Sequence, residues 1–221
     1  VGDGIAADTA AFLLAIAAVQ ALGYGVVWVP AGRYKITANL RVIMGNVHIV
    51  GAGRGVSIIY GYVAGDVITF ASDLGIIHRN AIRGLTVLNQ IVQPTEGATV
   101  HFSRCNQAHF HDCDFREGFV GLWLESVVGS YCSDVDLGAD TLFTSYLAGS
   151  ALMLISKHAA GNIPSEMQFA NVDWRGQNIN YYLDAAIKIR DADGIFFSSG
   201  HVGMARTGIK LAPSSDTATL L

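Results

Sequence analysis

Seven-residue runs with apolar side chains at the second, fifth and seventh positions, their last three residues alternating, recur along most of this chain. The clearest is His109-Phe110-His111-Asp112-Cys113-Asp114-Phe115. The template returns at Tyr131-Cys132-Ser133-Asp134-Val135-Asp136-Leu137 and at Gln168-Phe169-Ala170-Asn171-Val172-Asp173-Trp174, after steps of 22 and 37 residues. Looser copies stand at Ala81-Ile82-Arg83-Gly84-Leu85-Thr86-Val87 and at Phe196-Phe197-Ser198-Ser199-Gly200-His201-Val202. A period of two belongs to a strand with one buried face. A second strand family interleaves with the first: Ile68-Thr69-Phe70, Val100-His101-Phe102, Leu122-Trp123-Leu124, Leu152-Met153-Leu154, Ile187-Lys188-Ile189 and Ile209-Lys210-Leu211. Two families alternating in this way predict a coil stacked on itself, each turn burying its apolar side chains against the next. The expected fold is all-β, a right-handed single-stranded parallel β-helix with an N-terminal capping helix.

Helical spacing occurs once, near the start. Phe12, Leu13, Ile16, Val19 and Leu22 share one face, so residues 9–22 read as a helix. Asp8 is its expected N-cap, with its carboxylate on the first-turn amides. Gly23 or Gly25 is the expected left-handed C-cap. The helix should plug the open end of the first coil and shield its unpaired edge. Residues 2–8 read as turn chemistry, Val26–Pro30 as a buried strand, Arg33–Ile36 as its return and Val47–Val50 as another strand. Gly51-Ala52-Gly53-Arg54-Gly55 invites a nucleotide-binding reading. It lacks the third fingerprint glycine, and a strand-like run follows it, so it reads as a tight turn. One domain is expected, with a cap over 1–25 and coils over 26–221. The start at Val1 and the stop soon after a strand-like unit read as a piece of a longer chain.

Composition agrees with this picture and excludes some functions. Apolar residues make up 51% and charged residues only 14%, with 25 Gly and 4 Pro, and mean hydropathy is +0.38. Apolar strands joined by glycine turns fit these values better than a helical bundle. The net charge of −4, without a basic run, argues against a nucleic-acid partner. No apolar run is long enough to span a bilayer, and residues 10–22 lack the positive flank of a signal peptide. Cys105, Cys113 and Cys132 are odd in number and irregularly spaced, which is no disulfide framework. Cys113 and Cys132 fall on apolar positions and read as buried free thiols, suited to assembly in a reducing compartment.

The first 60 residues carry a further pattern. Gly2-Asp3-Gly4-x-x-x-Asp8-Thr9-x-Ala11, Val26-x-x-Val29-Pro30-Ala31-Gly32-x-Tyr34 and Val47-x-Ile49-x-Gly51-x-Gly53 together resemble the N-terminal signature of the pectate-lyase-like superfamily. That superfamily includes bacteriophage tailspike depolymerases, polygalacturonases and alginate epimerases. The resemblance implies a β-helix, a carbohydrate polymer as partner, a tailspike-style homotrimer, and a virion-tail or extracellular location. Gly118-Phe119-Val120-Gly121 resembles the epimerases, which carry Asp-Pro-His-Glu just after it. Here the run is Leu122-Trp123-Leu124-Glu125, with only the Glu kept, which argues against epimerase activity. Gly200-His201-Val202-Gly203 and Gly208-Ile209-Lys210 only faintly echo polygalacturonase motifs, and the aspartate motifs of that family are absent in order.

Aligned copies place Thr86, Asp114, Asp136, Asp173 and His201 in one outward column. Neighbouring rungs stand about 4.8 Å apart, so like charges there should raise one another's pKa. Such pairs can supply an acid and a base. Adjacent rungs put carboxyl groups roughly 5 Å apart and alternate rungs roughly 9.5 Å, the retaining and inverting spacings of glycosidases. A solvated face of unrelated aspartates is the plain alternative. The next column, Gly84, Asp112, Asp134, Asn171 and Ser199, is made of turn formers. The second family has its own outward column of Thr69, His101, Trp123, Met153, Lys188 and Lys210, in which Trp123 is either a sugar platform or packed on a loop or a neighbouring subunit. Glu117 and Glu125 are further acids. His101, His109 and His111 lack the paired spacing of a zinc site.

The sequence therefore points to hydrolysis of glycosidic bonds in a bacterial surface polysaccharide. Asp114, Asp136 and Asp173 would supply acid and base, assisted by His201 or Glu125. Trp123, His101 and Arg175 would bind substrate, and no cofactor is required. The close variant is a lyase in which the carboxylates hold Ca²⁺ and Arg175 or Arg190 takes the proton. The alternative of another class is a non-catalytic adhesive β-helix.

Overall fold

The computed structural model describes residues 2–92, 94–139, 145, 147–176, 183–203 and 205–211. The chain opens with β1 (Asp3–Ala7), α1 (Thr9–Leu22), β2 (Gly25–Val29), β3 (Gly32–Ile36) and β4 (Leu40–Val42). The next coil is β5 (Val47–Gly51), β6 (Ser57–Gly61) and β7 (Ile68–Phe70). Above it come β8 (Ile77–His78), β9 (Ala81–Asn89) and β10 (Ala98–Ser103), then β11 (Cys105–Asn106), β12 (His109–Arg116) and β13 (Val120–Glu125). Two coils follow, β14 (Tyr131–Ala139) with β15 (Leu147–Ser156), and β16 (Met167–Gly176) with β17 (Leu183–Ile189). The last described coil is β18 (Ile195–Phe197), β19 (Gly200–Gly203) and β20 (Thr207–Leu211).

These strands stack as a right-handed parallel β-helix. One sheet of 11 strands runs β1-β3-β6-β9-β12-β14-β16-β18, with β2, β5 and β19 beside that path. A sheet of 7 strands runs β20-β17-β15-β13-β10-β7-β4, and β8 pairs β11 on a short third side. The expected aspartate column is present in register, Thr86 to Asp114 to Asp136 to Asp173 to His201. Phe110, Cys113 and Phe115 all point inward, because the left-handed residue Asp112 shifts the alternation by one, and one apolar core runs from Phe12 and Ile16 of α1 to Trp174 and Ile187. All three cysteines are buried free thiols, and burial pushes Cys105 and Cys113 up to about 12.

Two ladders of left-handed residues bend the coils. Gly84, Asp112, Asp134 and Asn171 have φ of 61, 52, 55 and 52°. They divide the long strands into two faces, so that the first half of β9 pairs β5 and the second half pairs β6. The turn-former column is therefore a corner, and Ser199 lies outside it, where the strand is interrupted between β18 and β19. A second corner ladder holds Asn46, Arg79, Gln107, Gly129, Glu166 and Gly194, with φ between 55 and 65°. Gly84→Ala should lower stability by ~1–2 kcal/mol through the left-handed penalty, with its Cβ also 2.9 Å from the Gly51 oxygen. Gly65→Ala, facing open space, should change little. Equal urea midpoints for the two variants would refute the corner role.

Four local expectations are corrected. Asp3–Ala7 is a strand on β3, not only a turn. Asp8 makes no side-chain cap on α1; its carboxylate accepts the Lys35 and Gly2 amides at 3.3 and 3.4 Å, which ties the helix start to β3. The strand Gly25–Val29 is half-buried: Val27 and Val29 enter the core, while Val26 and Trp28 are 53% and 57% exposed. Finally, Leu122 faces Met153 and Trp123 faces Leu154. The uninterrupted apolar run Ala151–Ile155 gives no alternation to fix register, and a one-residue slip exchanges faces. Met153 is thus in the core, and Leu154 takes the outward place between Trp123 and Lys188.

Candidate functional site

Each aspartate of the column is turned to an arginine. Arg116 Nε donates to both Asp114 oxygens at 2.7 and 2.8 Å. Arg54 Nη1 lies 3.0 Å from Asp136 Oδ2 and its Nε 3.7 Å from Asp112. Arg175 donates to Asp173 from Nε at 3.1 Å and from Nη2. Arg54 came from the glycine turn and carried no signal of this role. Burial raises the Asp114 pKa against the pull of Arg116, and the Asp136 charge adds to the rise. The hydrogen bond from Arg175 to Asp173 raises the arginine's own pKa. His201 stands exposed across from Asp173. Among the described residues no three His, Cys, Asp or Glu side chains are grouped to hold a metal ion.

His101, Trp123 and Glu125 come together on the outer face of the other sheet, with a partner from a loop. His101 Nδ1 lies 2.8 Å from Asp66 Oδ2, and its Nε2 lies 3.6 Å from Glu125 Oε2. Asp66 is fixed by the Ala98 amide at 2.7 Å and the Thr69 hydroxyl at 3.1 Å. Ser103 Oγ donates to Glu125 Oε2 at 2.6 Å. Trp123, one rung on, stacks on His101 with ring centroids 4.2 Å apart and planes within 5°. Its indole N–H donates to Ser156 Oγ at 2.8 Å. Trp123 is thus half-buried, with one face covered by the imidazole. A groove of about 380 Å³ opens above, lined among others by Asp66, His101, Ser103, Arg41, Arg104 and His158. None of the three aspartates of the column lines it.

Burial disfavours charge on all three acid–base groups, but their mutual contacts outweigh it. Burial lowers the His101 pKa, yet hydrogen bonds and charge from Asp66 and Glu125 leave it raised. Burial raises Asp66 and Glu125, yet His101 leaves both lowered, with Ser103 also acting on Glu125. The site is an imidazole held between two carboxylates, which raise its pKa. Its chemistry is that of a fixed, ionised base, Glu125, whose orientation depends on His101 and Asp66. His158 stands at the same groove. The Ala160 amide donates to His158 Nδ1 at 3.0 Å, so the neutral ring carries its proton on Nε2.

The triad gives stability a definite pH dependence. His101 has a raised folded pKa, so its contribution is complete below its unfolded value of 6.5 and is lost as pH climbs through the folded value. Asp66 and Glu125 have lowered folded pKa values. Their contributions are present above the ordinary values of 3.8 and 4.5 and are lost as pH falls through the folded ones. Raising pH from about 6 to about 9, through the histidine range, should therefore lower Tm. His101→Gln should flatten that limb, and a wild-type profile as flat as the variant's would refute the triad.

No protein-family model matches this chain. A mannuronan C5-epimerase of Azotobacter vinelandii is 45% identical over 64 residues, which take in 26% of this chain and 5% of that protein. Among solved structures, the ORF18 protein of Geobacillus virus E2 superimposes with TM-score 0.63 at 16% identity, over 97% of this chain and 58% of that one. The tailspike protein of E. coli bacteriophage HK620 gives 0.63 at 12% identity, over 90% and 38%. The catalytic unit of a GH87 α-1,3-glucanase from Streptomyces thermodiastaticus gives 0.54 at 19% identity, over 95% and 40%. The shared fold is the parallel β-helix, and this chain spans only part of each of these proteins. Among the described residues no helix is long and apolar enough to cross a membrane.

Proposed function

We propose that this chain binds a carbohydrate polymer in the groove above His101 and hydrolyses its glycosidic bonds. The observation that carries this reading is the Asp66–His101–Glu125 triad, of which Asp66 and His101 line the groove and Glu125 stands behind His101 and Ser103. Ionised Glu125 takes a proton from a water molecule, whose oxygen bonds to the anomeric carbon as the glycosidic C–O bond breaks. The departing oxygen takes a proton from solvent, and solvent takes back the proton on Glu125, so that one water is consumed for each bond cleaved. Asp66 and His101 are positioning residues. The fold shared with a phage tailspike and an α-1,3-glucanase supports a sugar polymer as substrate. It also favours a homotrimer on a virion tail or outside a cell.

A second reading keeps the reaction and moves it to the aspartate column. The raised pKa of Asp114 favours it, since that carboxyl could act as acid with Asp136, on the adjacent rung, as base. Asp136→Asn and Asp173→Asn separate the two. Depolymerisation should survive both if the groove is the site and fail if the column is. Product analysis tests the bond chemistry: hydrolysis yields new reducing ends without ultraviolet absorption and proceeds in EDTA. Unsaturated ends and loss of activity in EDTA would indicate a Ca²⁺-dependent lyase instead.

A further inference from the structure

The first half of the larger sheet carries another groove, of about 810 Å³, that the proposed reaction does not use. Its charged lining is Arg79, Arg83, His48 and His109, and no described aspartate or glutamate lines it. Register explains the cluster. His48, Ala81 and His109 face one another across β5, β9 and β12. The two imidazoles thus stand two rungs apart, roughly 9.5 Å, with only a methyl group between. Arg83 lies two residues beyond Ala81 on the same outward side of β9. Arg79 occupies the left-handed corner at φ 57°, a conformation that suits Gly or Asn better than a branched or long side chain. It is nonetheless held: Gln107 Oε1 accepts from Arg79 Nε at 3.2 Å, and His48 Nε2 lies 3.1 Å from the Arg79 carbonyl oxygen.

These basic side chains act on one another. Burial first, then the charges of Arg83 and His48, lowers the His109 pKa. Such clustering is unfavourable in the empty groove and is relieved by an anion. Guanidinium groups match carboxylates in paired hydrogen bonds. The length between His48 and His109 exceeds that of one small oxyanion, and Tyr24, 69% exposed, offers a ring at the rim.

We infer that this groove binds the carboxylates of an acidic polysaccharide, at a site separate from the cleavage groove and on a different face of the β-helix. The inference rests on the reading that the ligand is a sugar polymer, and adds that its sugars include uronic acids. The test uses the full chain with Glu125→Gln and calorimetric titration with uronate oligosaccharides from polygalacturonate, alginate and hyaluronan. At least one should bind, and Arg83→Gln and Arg79→Gln should each weaken it about tenfold or more, as lost charge-assisted pairs would. Arg83→Lys should retain part of the affinity, which distinguishes lost charge from lost fold. The carboxyl-reduced oligosaccharide should bind poorly to every form. The inference is overturned if no oligosaccharide binds, if both glutamine variants bind as the parent does, or if inorganic phosphate alone binds as tightly as the oligosaccharide. Depolymerisation that persists in Glu125→Gln would sink the cleavage site and leave this binding result standing.

Discussion

Glu125→Gln is expected to lower the depolymerisation rate by ~10²–10⁴-fold, the range for loss of a general base. The amide keeps the shape of the carboxylate and can still accept the Ser103 hydrogen bond, so the fold should be preserved. What disappears is the proton acceptor and one of the two charges that raise the His101 pKa. Asp66→Asn gives a different signature, because Asp66 acts through the imidazole. It should shift the alkaline limb of the pH–rate profile downward as the His101 pKa falls, with a smaller loss at the optimum. Reducing-end assays on a panel of bacterial surface polysaccharides provide the measurement. A loss below tenfold in Glu125→Gln, together with a larger loss in Asp136→Asn, would transfer the chemistry to the column of Asp114.

Alternation made the larger sheet legible. Residues two apart share a face, so aligned copies placed Asp114, Asp136 and Asp173 in line without coordinates. Where alternation failed, register failed, as at Met153. One partner of the column was invisible for a different reason: Arg54 reaches Asp136 from a loop three coils below. His101, Trp123 and Glu125 were recognisable singly as polar or aromatic residues on an outward face, but Asp66 was not. It precedes the three-residue strand β7 and meets His101 across 35 residues of chain. His158 likewise sits in the loop after β15, where no period applies. The second corner ladder escaped because Arg79, Gln107 and Glu166 are not turn-forming types. Periodicity reports what a strand presents, whereas a site also draws on the loops that fold back over it.

Phe102→Ala should be the most destabilising single change, by ~3–5 kcal/mol, as for a large core aromatic that cannot be replaced by collapse. Phe102 is fully buried. Its ring stacks on Phe70 of the coil below, with centroids 4.2 Å apart, and meets Phe110 edge-on at 4.8 Å. The loss is therefore both apolar burial and two ring contacts. In a stacked coil the stability of each turn depends on its neighbours, so a void here weakens the coupling on both sides. Phe197 provides the comparison near the C-terminal end of the described coils. It also stacks, on Phe169 at 5.1 Å, but it is 40% exposed. Phe197→Ala should therefore cost less than half as much. Urea unfolding of both variants, read as ΔG at a common slope, decides the matter. If the two losses are equal, the inner phenylalanine stack is not what couples one coil to the next.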